Sequence, residues 1–73
     1  MDRLNTGIGI ARRVSLAISE AGFDVLSVSQ AADMTTDQMN DRLSGRVEFD
    51  LVELVRVGGF LHVPVSQFMK EAA

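Results

Sequence analysis

Apolar residues recur along the chain at spacings of three and four, which is the period of amphipathic helices. The first such segment runs from about Thr6 to Ala21, and Gly22 follows it as a fitting left-handed C-terminal cap. Its apolar stripe consists of Ile10, Val14, Ala17, Ile18 and Ala21. No segment shows the sustained alternation of a β-strand, so the pattern predicts an all-α chain.

Polar residues with capping preferences mark two shorter helices in the middle of the chain. Asp24 is a natural N-cap for a helix from about Val25 to Ala32, and Thr35 for one from about Thr36 to Ser44. Asp33 lies between them, where the chain must turn sharply, and Asp tolerates the left-handed region better than most residues. The pattern therefore predicts two short helices joined by a tight turn.

Two further helices complete the predicted set of five. Asp50 caps a fourth helix from about Leu51 to Leu61, and a short fifth helix runs from Pro64 to about Lys70. Gly58 and Gly59 lie inside the fourth helix, where two glycines cost about 2 kcal/mol relative to alanine. We therefore expect either close approach of another segment at these glycines or a frayed helix.

The composition fits one small globular domain without catalytic chemistry. The chain has 73 residues, of which 47% are hydrophobic, and this length holds a single domain. It contains no cysteine and one histidine, His62, so we expect no disulfide, metal site or cofactor. Gly7-Ile8-Gly9 lacks the preceding strand of a nucleotide-binding loop. We expect a protein that is not an enzyme and binds no small-molecule ligand.

The sequence offers no segment that would direct the chain to a membrane. No apolar run approaches the roughly 20 residues that span a bilayer. The stretch MDRLNTGIGIARR lacks the uninterrupted apolar part of a secretion signal. We expect a cytoplasmic protein of a bacterium or a phage-infected host cell, with no membrane partner. Whether the chain is a fragment of a longer protein stays open.

The formal net charge of −3 counts against nucleic-acid binding, because neutralisation of phosphates by basic residues supplies most of the affinity of such proteins. A local basic edge can nevertheless coexist with an acidic total. The charge balance therefore leaves both nucleic acid and protein as possible partners.

The order and spacing of the predicted elements resemble the helix-turn-helix family of Cro and lambda-repressor type, also called the XRE family. The resemblance runs without a gap from about Val14 to Phe68. The matching residues are Gly22-Phe23-Asp24-Val25, Val28, Ser29, Asp33-Met34-Thr35, Met39, Gly45, Asp50, Leu51, Leu54, Val57, Leu61, Val63 and Phe68. The resemblance implies a compact five-helix lambda-repressor-like domain, with the helix-turn-helix at about 24–45 and C-terminal helices at about 50–70. We expect a flexible arm at about 1–5.

The resemblance also implies a function. Members of this family are transcriptional regulators that bind double-stranded DNA sequence-specifically, and a Cro-like or repressor-like protein acts by occupying an operator. The alternative is a protein-interaction module of the same fold with weakened DNA binding. The operator sequence, the regulated gene and the sign of regulation do not follow from the sequence.

Several positions depart from the family pattern. Where the family often pairs a buried arginine with a glutamate, this chain has Ile18 and Leu43, an exchange that is often neutral or stabilising. A neighbouring apolar position is Arg42, which indicates a slight rotation of the third helix. The glutamine that commonly starts the second helix is Val25, and the usual turn glycine is Asp33.

The outward face of the third helix holds the candidate base contacts. Met39 and Leu43 mark its buried side, because they lie four residues apart. The candidates are Thr36, Asp37, Gln38, Asn40 and Asp41. A carboxylate accepts only from the amino group of cytosine, and phosphates repel it, so Asp37 and Asp41 weaken the argument for base reading. The alternative is a solvated or protein-binding face.

The candidate phosphate contacts surround this helix. They are Arg3 on the predicted arm, Arg12, Arg13, Val25 through the amides that start the second helix, Thr35, Arg42 and Arg46. Helix N-terminal amides can hold a phosphate, although Asp24 competes for those near Val25. Arg56 is expected to serve solubility.

Apolar residues in the loop after the third helix and in the tail are candidates for a dimer or partner surface. They are Val47, Phe49, Val63, Val65, Phe68 and Met69. A two-fold homodimer, formed in solution or only on DNA, would place its recognition helices roughly 34 Å apart, one turn of DNA. The alternative is that the four tail residues close the core of the monomer.

Overall fold

The computed structural model describes residues 2–69, with side chains from residue 9 onward. This part of the chain forms five α-helices and no strand, which confirms the all-α prediction. The helices are α1 (Asp2–Ala21), α2 (Val25–Ala31), α3 (Thr36–Leu43), α4 (Leu51–Leu61) and α5 (Val65–Phe68). Helix α5 ends before the predicted Lys70, which lies outside the described residues.

Helix α1 begins at Asp2 instead of near Thr6, so residues 2–5 belong to the helix. The prediction of an arm over these residues is wrong in this respect. No proline interrupts the segment, and an acidic residue at its start favours helix formation through the helix dipole. The side chain of Arg3 lies outside the described part, so its phosphate contact stays a prediction.

Three predicted N-caps are confirmed. Asp24 accepts a hydrogen bond from the Ser27 amide at 2.9 Å. Thr35 forms a capping box with Gln38, and Asp50 forms one with Glu53. Because helices as short as α2 and α3 have few internal hydrogen bonds, these partners for their first amides matter for their stability.

The predicted turns also occur where the sequence places them. Asp33 and His62 both have φ of 61°, and Gly22 and Gly45 have φ of 80° and 86°. His62 ends α4 as its left-handed cap. The backbone at Asp33 and at His62 therefore adopts the left-handed conformation, which is unfavourable for most residues other than glycine. This indicates that the surrounding packing fixes both turns.

The core lies where α1, α2 and α4 converge with α3 and α5. Helix α1 packs against α3, α4 and α5, while α2 packs against α3 and α4. The buried cluster consists of Val14, Ile18, Val28, Ala32, Met39, Leu54, Val57, Leu61 and Phe68. Its members come from all five helices, so each short helix is held by tertiary packing.

Phe68 corrects the predicted partner surface. Its side chain is 1% exposed and belongs to the core, because so small a domain needs a large residue to fill the space between α5 and the rest. Val63, Val65 and Phe49 are partly buried and pack against the same core. Of the six predicted residues, Val47 and Met69 remain exposed.

The two glycines of α4 have different environments. A Cβ added at Gly58 would lie 2.5 Å from the carbonyl oxygen of Val63 and 3.4 Å from the ring of Phe68, so the expected close approach occurs there. A Cβ at Gly59 would meet nothing within 4 Å. Packing therefore explains the glycine at position 58, whereas no contact within the described residues explains the glycine at position 59.

Candidate nucleic-acid interface

Helices α2 and α3 and the turn between them form one connected unit. The Met34 amide donates to the Ser29 carbonyl at 2.9 Å across the turn. Ser29 is buried, and its hydroxyl donates to the Val25 carbonyl at 2.6 Å. Arg56 Nη1 of α4 donates to the Ala32 carbonyl at the end of α2, at 3.4 Å. Arg56 therefore has a structural contact beyond the solubility role that the sequence indicates.

Helix α3 presents one side to the core and the other to solvent. Met39 is fully buried, and Leu43 is partly buried against the core. This confirms the pair as the inward side of the helix. Of the predicted base-facing residues, three are exposed and two, Thr36 and Asp41, are half-buried. The exposed residues are Asp37, Gln38 and Asn40.

Some of these polar side chains already have partners. Gln38 Oε1 accepts from the Thr35 amide at 3.0 Å, and the Thr35 hydroxyl accepts from the Gln38 amide at the same distance. Asp41 Oδ1 lies 3.9 Å from Arg46 Nε, a long contact between two side chains that both reach solvent. A base contact through Gln38 Oε1 would therefore compete with the hydrogen bond that this oxygen accepts in the capping box.

Arg42, a predicted phosphate contact, forms an ion pair within the domain. Its Nε and Nη2 lie 3.3 Å and 3.2 Å from the two carboxylate oxygens of Glu53, so the pair is bidentate. The two side chains are only 19% and 13% exposed. The guanidinium thus joins α3 to the first turn of α4.

Arg13 is also engaged within the domain. Its Nη1 donates to the Phe68 carbonyl at 3.4 Å, which links α1 to the end of α5. The residue is half-buried, and this bond uses one of the five N–H donors of its guanidinium. Two of the predicted arginines therefore stabilise the fold, for the physical reason that orphan carbonyls and a partly buried carboxylate need donors.

Arg12 and Arg46 lie near the C-terminal end of α3 and remain available. Arg12 is exposed and lines an open cleft of about 530 Å³, whose opposite wall includes Ser44 and Gly45. Arg46 follows directly, with a side chain that is 78% exposed. Arg12 thus lies across the cleft from the two residues that precede Arg46 in the chain.

The start of α2 is a poorer phosphate site. Val25 is partly buried against the core. The hydrogen bond from the Ser27 amide lowers the pKa of the Asp24 carboxyl below its ordinary value of 3.8, so the cap is ionised at neutral pH. A phosphate at these amides would have to displace a carboxylate of the same charge.

Within the described residues, no group of three or more histidine, cysteine, aspartate or glutamate side chains is placed to hold a metal ion. None of the helices described has both the length and the apolar character required to cross a membrane.

Two features of the structure were not predicted from the sequence patterns. The Arg42–Glu53 pair had a partial signal, since an arginine occupies a position that the resemblance makes apolar. The exposed apolar side of α4, with Leu51, Val52 and Val55, had no signal in the sequence, because α4 is apolar on several sides.

Neither the models of known protein families nor the curated proteins match this chain.

Proposed function

We propose that the chain is a helix-turn-helix regulator of transcription, in which α3 enters the major groove of double-stranded DNA. The observation that carries the proposal is the geometry of α2, the left-handed turn at Asp33 and α3. Helix α3 is capped at Thr35, anchored by the fully buried Met39 and exposed on its opposite side. A second helix held in this way on a compact core is how helix-turn-helix proteins present a recognition helix.

Two arginines provide the phosphate contacts in this proposal. Arg12 and Arg46 both lie near the C-terminal end of α3, where a recognition helix in the groove has phosphates beside it. Asp37 would then face base edges, because it is exposed on the side away from Met39, and the exposed Asn40 would lie on the flank of this face. Bound in this way at an operator, the protein would act by excluding RNA polymerase.

The electrostatics of the face predict weak binding by a single copy. Neutralising two phosphates gives a slope of about −1.8 for the logarithm of affinity against the logarithm of salt concentration. Affinity measured by fluorescence anisotropy on a mixed-sequence duplex, across a salt series, tests both statements. No retention of DNA at about 50 mM salt, where phosphate contacts are strongest, would overturn the proposal.

Arginine variants locate the contacts. Arg12→Ala and Arg46→Ala should each lower the magnitude of the salt slope by about 0.9. Arg13→Ala is the matched control, because its guanidinium donates to the Phe68 carbonyl and its loss should leave the slope unchanged. Circular dichroism of each variant separates lost contacts from lost folding.

A second candidate is a protein-interaction module of the same fold. Its support is the exposed Asp37 on α3, together with the commitment of Arg42 to Glu53 and of Arg13 to Phe68. Asp37→Asn discriminates. Non-specific DNA affinity should rise if the carboxylate only repels phosphates, and affinity for a selected site should fall if it accepts from cytosine. If neither the unmodified protein nor the Asp37→Asn variant binds DNA, the result would favour the protein-interaction module.

A further inference from the structure

The open cleft of about 530 Å³ between α1 and the C-terminal end of α3 combines apolar and polar walls. Its volume falls within the range of about 300–1,000 Å³ that is typical of small-molecule sites. Three apolar side chains line it: Ala11, which is buried, Leu43, which is half-buried, and Leu16, which is exposed. The cleft therefore offers contact to the apolar part of a ligand.

The wall that α1 contributes carries hydrogen-bond donors. Arg12, Ser15 and Ser19 line the cleft and are all exposed. They lie on one side of α1, because they are spaced by three and four residues. A guanidinium has five N–H donors and each hydroxyl has one. This wall can therefore donate several hydrogen bonds to the oxygens of one anionic group.

The opposite wall uses its donors within the domain. The Ser44 hydroxyl donates to the Asp41 carbonyl at 3.1 Å. The Ser44 amide donates to the Asn40 carbonyl at 2.9 Å, and the Gly45 amide donates to the Arg42 carbonyl at 3.1 Å. An anionic group in the cleft would therefore bind on the α1 side.

The charge of the cleft favours an anion. Among the described residues that line it, Arg12 alone is charged. A second cleft, of about 250 Å³ between α1 and α5, differs because it is lined by both Arg13 and Glu20. The Arg13 guanidinium there also donates to the Phe68 carbonyl. Of these two clefts, only the one at Arg12 pairs an apolar lining with charge of a single sign.

We infer that the cleft at Arg12 binds a small organic oxyanion, a phosphate or carboxylate that carries an apolar group. Arg12 and the hydroxyls of α1 hold the oxygens, and the apolar group packs against Leu16 and Leu43. The inference departs from the sequence-based expectation of no small-molecule ligand. Arg12 is also a phosphate contact of the proposed function, so a bound ligand would compete with DNA for it. That consequence rests on the proposed function, whereas the site itself does not.

Amide NMR spectra of the protein, titrated without DNA, test the inference with phenyl phosphate and inorganic phosphate as probes. Phenyl phosphate should shift the amides of residues 11–19 and 43–45 saturably, with a dissociation constant of about 1 mM or lower. Inorganic phosphate should bind at least about tenfold more weakly, because it has no ring to bury. Equal binding of the two probes would reduce the cleft to a charge contact and overturn the inference. Shifts centred on Val52 and Val55 of α4 would also overturn it, since they would show non-specific binding of the ring to an exposed apolar surface.

An arginine variant locates the anionic group. Arg12→Gln should weaken phenyl phosphate binding at least about tenfold, since it removes a charged hydrogen-bond donor from an exposed position. Arg56→Gln is the matched control, because it removes the same charge from α4, which does not line the cleft. Equal weakening by both variants would show an effect of net charge alone and overturn the inference. The DNA proposal would survive every such failure, since the titration contains no DNA.

Discussion

The role of Arg42 depends on its ion pair with Glu53. The residue lies in the last turn of α3, where a cation compensates the helix dipole, and a free guanidinium at this place would be a natural phosphate contact. Glu53 instead accepts from it with both oxygens. Glu53 also closes the capping box of α4. One carboxylate thus serves both helices, and Arg42 is part of the fold.

We expect Arg42→Ala to lower the free energy of unfolding by about 1–3 kcal/mol, because it leaves a partly buried carboxylate without its charged donor. Urea unfolding followed by circular dichroism measures the change. Arg46→Ala is the control, since its contact with Asp41 is 3.9 Å long and exposed, and such pairs contribute about 0–1 kcal/mol. Equal losses in the two variants would contradict the structural role of Arg42.

Among the helices, α4 has two distinct sides with different structural roles. Its inner side supplies Leu54, Val57 and Leu61 to the core. Its outer side exposes Leu51, Val52 and Val55. Its two glycines are neighbours, yet only Gly58 faces another segment, because successive helix residues point in directions about 100° apart. The crossing of residue 63 over Gly58 fixes how the chain leaves α4 and enters α5.

Gly58→Ala should therefore destabilise the domain, although alanine is the better helix former. The added methyl group would lie 2.5 Å from the Val63 carbonyl oxygen, and forcing the backbone apart costs about 1–3 kcal/mol. Gly59→Ala should gain up to about 1 kcal/mol, because an added Cβ there would meet nothing within 4 Å. Thermal unfolding gives both values, and equal signs would refute the difference between the two sites.

At the scale of the whole molecule, α5 completes the core from the C-terminal side. Phe68 packs near Gly58 of α4, and its carbonyl accepts from Arg13 of α1. The last helix is four residues long, too short to be stable alone. Its position depends on the buried ring of Phe68, on the packing of Val65 against the core and on the Arg13 hydrogen bond.

Phe68→Ala should cost about 3–5 kcal/mol, the usual loss for a buried phenylalanine. A 73-residue domain has roughly 4–11 kcal/mol of stability at about 0.05–0.15 kcal/mol per residue, so the variant should be largely unfolded at modest temperature. Met69→Ala is the control, because Met69 is 49% exposed, and it should change stability by less than about 0.5 kcal/mol. A stable Phe68→Ala variant would contradict the placement of α5.

The predictable part of the fold is the part set by local rules. Asp24, Thr35 and Asp50 cap helices as predicted, because a cap needs only the amides that follow it within three residues. The left-handed conformation at Asp33 was predictable because it depends on the conformational preference of the residue itself. The candidate site was predicted less well. Whether Arg42 or Arg13 points outward depends on Glu53 and on the Phe68 carbonyl, which are distant in sequence and carry no local signal.

Periodicity and short-range hydrogen bonding specify the five helices, their caps and turns, and the buried side of α3, so these features can be read from the amino-acid sequence. Tertiary structure decided which apolar and basic residues stay at the surface. Packing buried Phe68 and bonded Arg42 to Glu53 and Arg13 to the Phe68 carbonyl. It left Arg12, Arg46 and the apolar outer side of α4 exposed. The physical reason is that α4 is apolar on more sides than its neighbours can cover, and only packing selects the side that enters the core.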